Sequence, residues 1–175
     1  ILYWIFRNQA ITKVNVIFSK LQILSAAFLS YSHGKNDAQN AVGIMALGWA
    51  VYWSQDVTVY SWMQVASGLA IGLGTALGGW RVIHTLGTKV TKLTPTSGFT
   101  SNMAAATVIE VASNIGLPVS TTHTSSSAIM GVGVTRGLQA VRWSVIQDIL
   151  LAWLITYPIC SILGWLLAKT LGALL

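Results

Sequence analysis

The sequence predicts an all-α membrane protein: a multi-span helical bundle with one broken helix and one re-entrant helical hairpin. Three observations predict it. Hydrophobic residues make up 54% of the 175 residues and charged residues 8%, whereas a soluble domain carries roughly 25% charged residues. So few charges cannot cover a water-facing surface. Apolar runs of membrane-span length recur along the chain, a crossing needing about 20 residues for a hydrocarbon core about 30 Å thick. Two of these stretches are interrupted by clustered polar residues together with Gly or Pro, at residues 32–41 and 116–123.

The elements follow in order. Residues 1–6 read as the end of an earlier span, and Arg7, Lys13 and Lys20 follow in a juxtamembrane segment. Residues 20–53 are too long for one straight crossing, and two half-helices meeting at residues 33–37 use that length. Trp49, Tyr52 and Trp53 cluster where an interfacial aromatic belt lies. Residues 54–61 are a polar connection with Asp56 and no Lys or Arg. Residues 62–80 form the second span, whose Gly68, Gly72, Gly74 and Gly78 offer a small-residue face for tight packing. Residues 81–95 read as a loop carrying Arg81, Lys89 and Lys92. Residues 97–114 and 119–134 are short Ala- and Ser-rich helices parted by Gly116-Leu117-Pro118. Interrupted segments of this kind point to transporter binding sites. Residues 145–168 are the last span.

Loop charge orients the chain. With residues 54–61 outside, a hairpin over 97–134 brings Arg136 and Arg142 to the same cytoplasmic side as Arg81, Lys89 and Lys92, as the positive-inside rule requires. A single crossing there would break the rule, whereas a hairpin and a double crossing both satisfy it. The net charge of +6 does not indicate nucleic-acid binding, because the cations form no single stripe and no nucleic-acid motif is present. Cys160 is the only cysteine, which excludes an internal disulfide. His84, His123 and Cys160 lack metal-ligand spacing, so no transition metal is expected. No signal-peptide pattern is present. The chain opens on Ile1 rather than Met, and residues 1–175 read as one transmembrane domain of a longer protein.

Two polar clusters carry the functional reading. In the first, His33-Gly34-Lys35-Asn36-Asp37-Ala38-Gln39-Asn40 falls near mid-membrane, where ionisable residues mark functional sites. Gly34 allows the helix to break, and the freed backbone groups then have to line a cavity. Asp37 would stand at or just before the N-terminus of the following half-helix. There it can cap free N–H groups, and the positive dipole end can hold an anion. Asn36 and Asn40 supply amides and His33 a titratable ring. In the second cluster, Pro118 and Val119 precede Ser120, Thr121 and Thr122 at a helix start. Hydroxyls and free N–H groups there form an anion cradle, unless Ser120 is only an ordinary N-cap.

These two stretches together resemble the inorganic phosphate transporter (PiT) family, in its C-terminal half. The similarity extends from about Val16 through the last span, and includes Thr94-Pro95-Thr96-Ser97-Gly98-Phe99 and the run from Ser127 to Gly133. The resemblance implies cation-coupled secondary transport of inorganic phosphate by a multi-pass protein of the cell membrane. It also implies two related halves in inverted orientation, with substrate where they meet. Asn36, Asp37, Ser120, Thr121 and Thr122 fall on the family's substrate and coupling-ion positions. His33, Asn40 and Asn102 join Asp37 as coupling-ion candidates, with sodium at Asp37 the one metal considered. The coupling cation is Na⁺ or H⁺, and no cofactor is implied. Asn102 stands where the family often has an acidic residue, which leaves the ion stoichiometry open. Glu110 lies two turns later and about 80° around the helix. The sister half is not in this sequence, so the expected partners are that half or a chain supplying it, membrane lipid, phosphate and a second copy in a homodimer.

Other classes fit less well. Ser120, His33 or His123, and Asp37 are the residue types of a hydrolytic triad, but no Gly-x-Ser-x-Gly elbow is present, and an enzyme is not expected. A channel would need a continuous lined pore, whereas the polar residues here are discrete breaks. Sulfate or another tetrahedral oxyanion is the alternative substrate.

Overall fold

The computed structural model describes Phe6 and residues 8–174. All regular elements among the described residues are helical. Apart from Phe6, the expected end of an earlier span at residues 1–6 lies outside the described residues. The chain divides into two units, residues 1–141 and 142–175.

In the first unit, α1 spans Ile11–Trp53, 43 residues, or about 65 Å at the α-helical rise. The break expected at residues 33–37 is absent: α1 runs straight through His33, Gly34 and Asp37 as helix. Gly34 lowers helix stability by only about 1 kcal/mol relative to Ala, so it permits a break without imposing one. Lys35 and Asn36 beside it find partners on the following helices, and the backbone does not have to open. Asp37 is therefore mid-helix and caps nothing. The buried face of α1 carries Phe18, Ser25, Ser32 and Asn36, then Val42, Ala46 and Ala50, spacings of four to seven that keep one side inward. At the C-terminal end Ser54 takes a left-handed conformation with φ 53°. The Gln55 N–H then reaches back to the Ala50 carbonyl at 3.0 Å, the six-to-one bond of a Schellman stop.

Helix α2 spans Ser61–Gly78. It meets α1 through Met63, Val42 and Ala46, with Met45 packed alongside. Trp49 stacks edge-on against Tyr60 and Trp62, with centroids 5.9 and 5.6 Å apart, so the expected aromatic cluster joins both helices. The tight packing expected at Gly68, Gly72, Gly74 and Gly78 is not made within the described residues, since a Cβ at any of them would meet nothing within 4 Å.

The expected loop at 81–95 is mostly helical. A short α3, Trp80–His84, passes into a π-helical turn, Thr85–Val90. No proline interrupts this segment before Pro95, and Thr88 Oγ1 donates to the His84 carbonyl at 2.6 Å. Extended backbone begins only at Thr91.

The hairpin follows as α4, Pro95–Asn114, and α5, Thr121–Val134. Its ends are written locally. Thr94 and Ser97 form a reciprocal capping box, with Pro95 in the first turn. At the other end Gly116 takes φ +73°. Its N–H and that of Leu117 return to the Ser113 and Ala112 carbonyls, completing a Schellman motif that only a residue tolerant of positive φ closes without strain. Ser120 caps α5, its Oγ accepting the His123 backbone N–H at 3.3 Å. Arg136, just past α5, donates to the Lys92 carbonyl at 2.6 Å and to Thr94 Oγ1 at 2.7 Å. The end of α5 thus meets the start of α4, and the two helices run antiparallel, an arrangement compatible with the loop charges.

The buried residues of α4 are mostly small, Ser97, Gly98, Ser101, Ala105, Ala106, Ala112 and Ser113, with Ile109 the one large side chain among them. Small residues let helix backbones approach closely. A Cβ at Gly98 would collide with the side-chain amide of Gln22. Phe18 and Phe99 pack edge-to-face at 5.3 Å.

The second unit holds α6, Trp143–Leu174, whose helix continues through Pro158. Its residues Trp143–Gly172 have a mean hydropathy of 1.9 over the most apolar window, and α1 reaches 1.3. Both are long and apolar enough to cross a membrane.

Candidate functional site

The two polar clusters meet through one amide. Asn36 is 2% exposed. Its Nδ2 donates to the Val119 carbonyl at 2.8 Å and to Asp37 Oδ1 at 3.2 Å. Its Oδ1 accepts from Ser113 Oγ at 3.2 Å. Both amide donors are used, and one acceptor position. Asn36 therefore ties mid-α1 to the last turn of α4 and to the residue immediately before Ser120. A polar group sealed at this level without partners would cost several kcal/mol in lipid. The helix α1 stays closed because the hairpin supplies those partners.

Asp37 is half-buried beside Asn36. His33 Nδ1 lies 3.3 Å from Asp37 Oδ2, with side chains 34% and 36% exposed. The contact is close enough for an ion pair when the ring is protonated, but it lacks the alignment of a hydrogen bond. The two stand one turn apart on the same face of α1. Asp37 thus keeps one carboxylate oxygen toward His33 and the other toward Asn36. Asn40, one turn beyond Asn36, is exposed.

At the hairpin tip, Thr121 is 8% exposed, while Ser120 and Thr122 are exposed. The first N–H groups of α5 have no intrahelical acceptor by construction, and the helix dipole puts partial positive charge there. Asn36, Asp37, His33, Ser120, Thr121 and Thr122 are thus brought to one locality. Asn102 is not. Its Nδ2 faces Ser25 Oγ at 3.5 Å, and Ser25 lies about 16 Å along α1 from Asn36 at the helical rise. The pairs Ser25–Asn102 and Asn36–Ser113 show α4 running alongside α1 toward the tip, so Asn102 lies 11 residues before the level of Ser113, away from Asp37.

Sequence reading missed two things here. Ser113 and the Val119 carbonyl are partners of Asn36, and no local pattern indicates them. Lys35 is the other omission. Its Nζ donates to Glu110 Oε1 at 2.7 Å and to Asn114 Oδ1 at 2.6 Å. The available signal was the scarcity of acids: Asp37, Asp56, Glu110 and Asp148 are the only four, and Glu110 stands alone inside the Ala- and Ser-rich helix of residues 97–114.

The profile of the phosphate transporter family matches residues 5–164. A probable low-affinity inorganic phosphate transporter of Bacillus subtilis is 43% identical over 162 residues, covering 91% of this chain and 49% of that protein. Sodium-dependent phosphate transporter 1 of Xenopus tropicalis is 41% identical over 161 residues, covering 90% of this chain and 24% of that protein. A solved structure of a sodium-dependent phosphate transporter superposes with a TM-score of 0.75 at 35% identity, covering 86% of this chain and 40% of its own. The chain spans about half the length of the bacterial relative and less of the others. A family match over most of the residues, with the same helical architecture in a solved relative, leads to one assignment: this chain belongs to the phosphate transporter family.

Proposed function

We propose that this chain is one half, the C-terminal repeat, of a cation-coupled transporter that carries inorganic phosphate across the cell membrane. The observation that carries the reading is the Asn36 amide, which joins the Asn-Asp motif of α1 to the Val119 carbonyl at the hairpin tip. It sets a carboxylate beside a helix N-terminus with three hydroxyl residues, Ser120, Thr121 and Thr122. The hydroxyls and free N–H groups at the start of α5 suit a tetrahedral oxyanion. The names of the relatives favour phosphate over sulfate, and transport over hydrolysis. Ser120 Oγ is already engaged as the cap of α5, which further weakens a nucleophilic role.

Asp37 would repel phosphate, which is anionic near pH 7. A cation held by Asp37 removes that repulsion, so each ligand tightens the other, and the coupling is reciprocal. Sodium is the favoured cation, because two relatives carry sodium dependence in their names. Carboxylate and hydroxyl oxygens suit such a hard ion. The second half, in the same polypeptide or a partner chain, would complete the site, and the hairpin would rock against it to alternate access. The test is uptake of labelled phosphate by the complete transporter in vesicles under an imposed Na⁺ or pH gradient. Accumulation driven by the Na⁺ gradient is expected. Uptake that follows sulfate but not phosphate, or neither gradient, would sink the reading.

A further inference from the structure

The group that the site leaves unused is the ion pair next to it. Lys35 precedes Asn36 on α1, and Glu110 and Asn114 flank Ser113 on α4. The same two helices are therefore fastened twice at one level. On one side is the Asn36 amide with Ser113 and Val119. On the other is a closed triangle: Lys35 Nζ to Glu110 Oε1 at 2.7 Å, Lys35 Nζ to Asn114 Oδ1 at 2.6 Å, and Asn114 Nδ2 to Glu110 Oε1 at 3.2 Å. Glu110 and Asn114 are one turn apart, so they present one face. The Lys35 and Glu110 side chains are only 24% and 22% exposed. Such a partly buried pair resists separation, because each charge loses its compensation if the other moves away.

We infer that Lys35 and Glu110 are positioning residues: their ion pair sets where the hairpin tip stands against Asn36, and thereby the affinity of the site for its oxyanion. Neither group touches the ligand in this role. Lys35 reaches the last turn of α4, and the Schellman stop at Gly116 fixes the tip rigidly to that turn. A shift of the pair therefore moves Val119 and Ser120 directly. The inference rests on the proposed phosphate site, so its test needs a readout that does not use phosphate.

Two variants of the complete transporter serve. E110D keeps the charge and shortens the arm by one methylene. K35M/E110L replaces the pair by apolar side chains, an exchange that is often neutral for stability. Amide hydrogen exchange at residues 119–123 is expected to quicken about tenfold in both variants, with residues 61–78 unchanged. Apparent KM for phosphate is expected to rise about tenfold, with the maximal rate changed less than about threefold. If one variant does not fold, the other decides. Exchange at 119–123 within about twofold of the parent overturns the positioning role whatever happens to uptake. Faster exchange with an unchanged KM overturns it too. Should the parent take up no phosphate while exchange still responds, the functional reading fails and the positioning of the tip stands.

Discussion

Helix α1 makes two interfaces of opposite character. Against α2 it presents Val42, Ala46 and Met45 to Met63, and the contact is apolar. Against the hairpin it presents Lys35 and Asn36 to Glu110, Asn114, Ser113 and the Val119 carbonyl, and Ser25 to Asn102. In lipid the first kind of contact has little driving force, since acyl chains are as apolar as the side chains they replace. It gains packing and nothing more specific. The second kind fixes direction and register, because a displaced amide or ammonium finds no substitute partner in hydrocarbon. One interface holds helices together, and the other tells the hairpin tip where to stand.

The comparison predicts a graded series on the phosphate scale. The largest effect is expected at Asp37, which is neither apolar filler nor a tie between helices. Asp37→Asn keeps the size and one acceptor oxygen but removes the charge. Coupled uptake should nearly vanish while the thermal midpoint holds, and added cation should no longer tighten phosphate in calorimetry at several cation concentrations. Cation-enhanced binding of normal size in that variant would give the coupling role to His33 or to the other half.

Asn36→Ala comes next and attacks the polar interface itself. It leaves the Ser113 hydroxyl and the Val119 carbonyl without the amide they bind. A loss of about 1–3 kcal/mol in stability is expected, together with weaker phosphate binding, because the tip is released. Thermal unfolding in detergent and calorimetry read the two effects. A variant that binds phosphate normally would separate the tie from the site.

Thr121→Val should act on the ligand alone. The hydroxyl is lost and the shape is kept, so affinity should fall by about one to two powers of ten, the equivalent of roughly 1.5–3 kcal/mol for a hydrogen bond to a charged group. Unchanged affinity would remove Thr121 from the anion cradle. The smallest effect on phosphate belongs to the apolar interface. Met63→Ala opens a cavity beside Val42 and Ala46 and should lower the thermal midpoint, yet leave phosphate affinity within about twofold. An affinity loss as large as that of Asn36→Ala would erase the distinction between the two interfaces.

Much of this was legible in the chain because the signals are local. Thr94, Pro95 and Ser97 start α4, Gly116 stops it and Ser120 starts α5, each through contacts within about four residues. The hairpin could be read from those signals and from the placement of Arg136 on the same side as Lys92. The apolar runs likewise announced helices long enough to cross a membrane. The continuity of α1 could not be read in the same way. Gly34 amid polar residues is compatible with a broken helix and with a closed one, and the choice rests on whether partners exist elsewhere. Those partners are 75 to 83 residues away in sequence: Glu110 for Lys35, Ser113 and Val119 for Asn36. The sequence alone determined which residues are polar in an apolar setting, since composition and local pattern contain that. Only the tertiary structure decided that the hairpin supplies partners to Lys35 and Asn36, with α1 whole and Asp37 mid-helix beside Asn36.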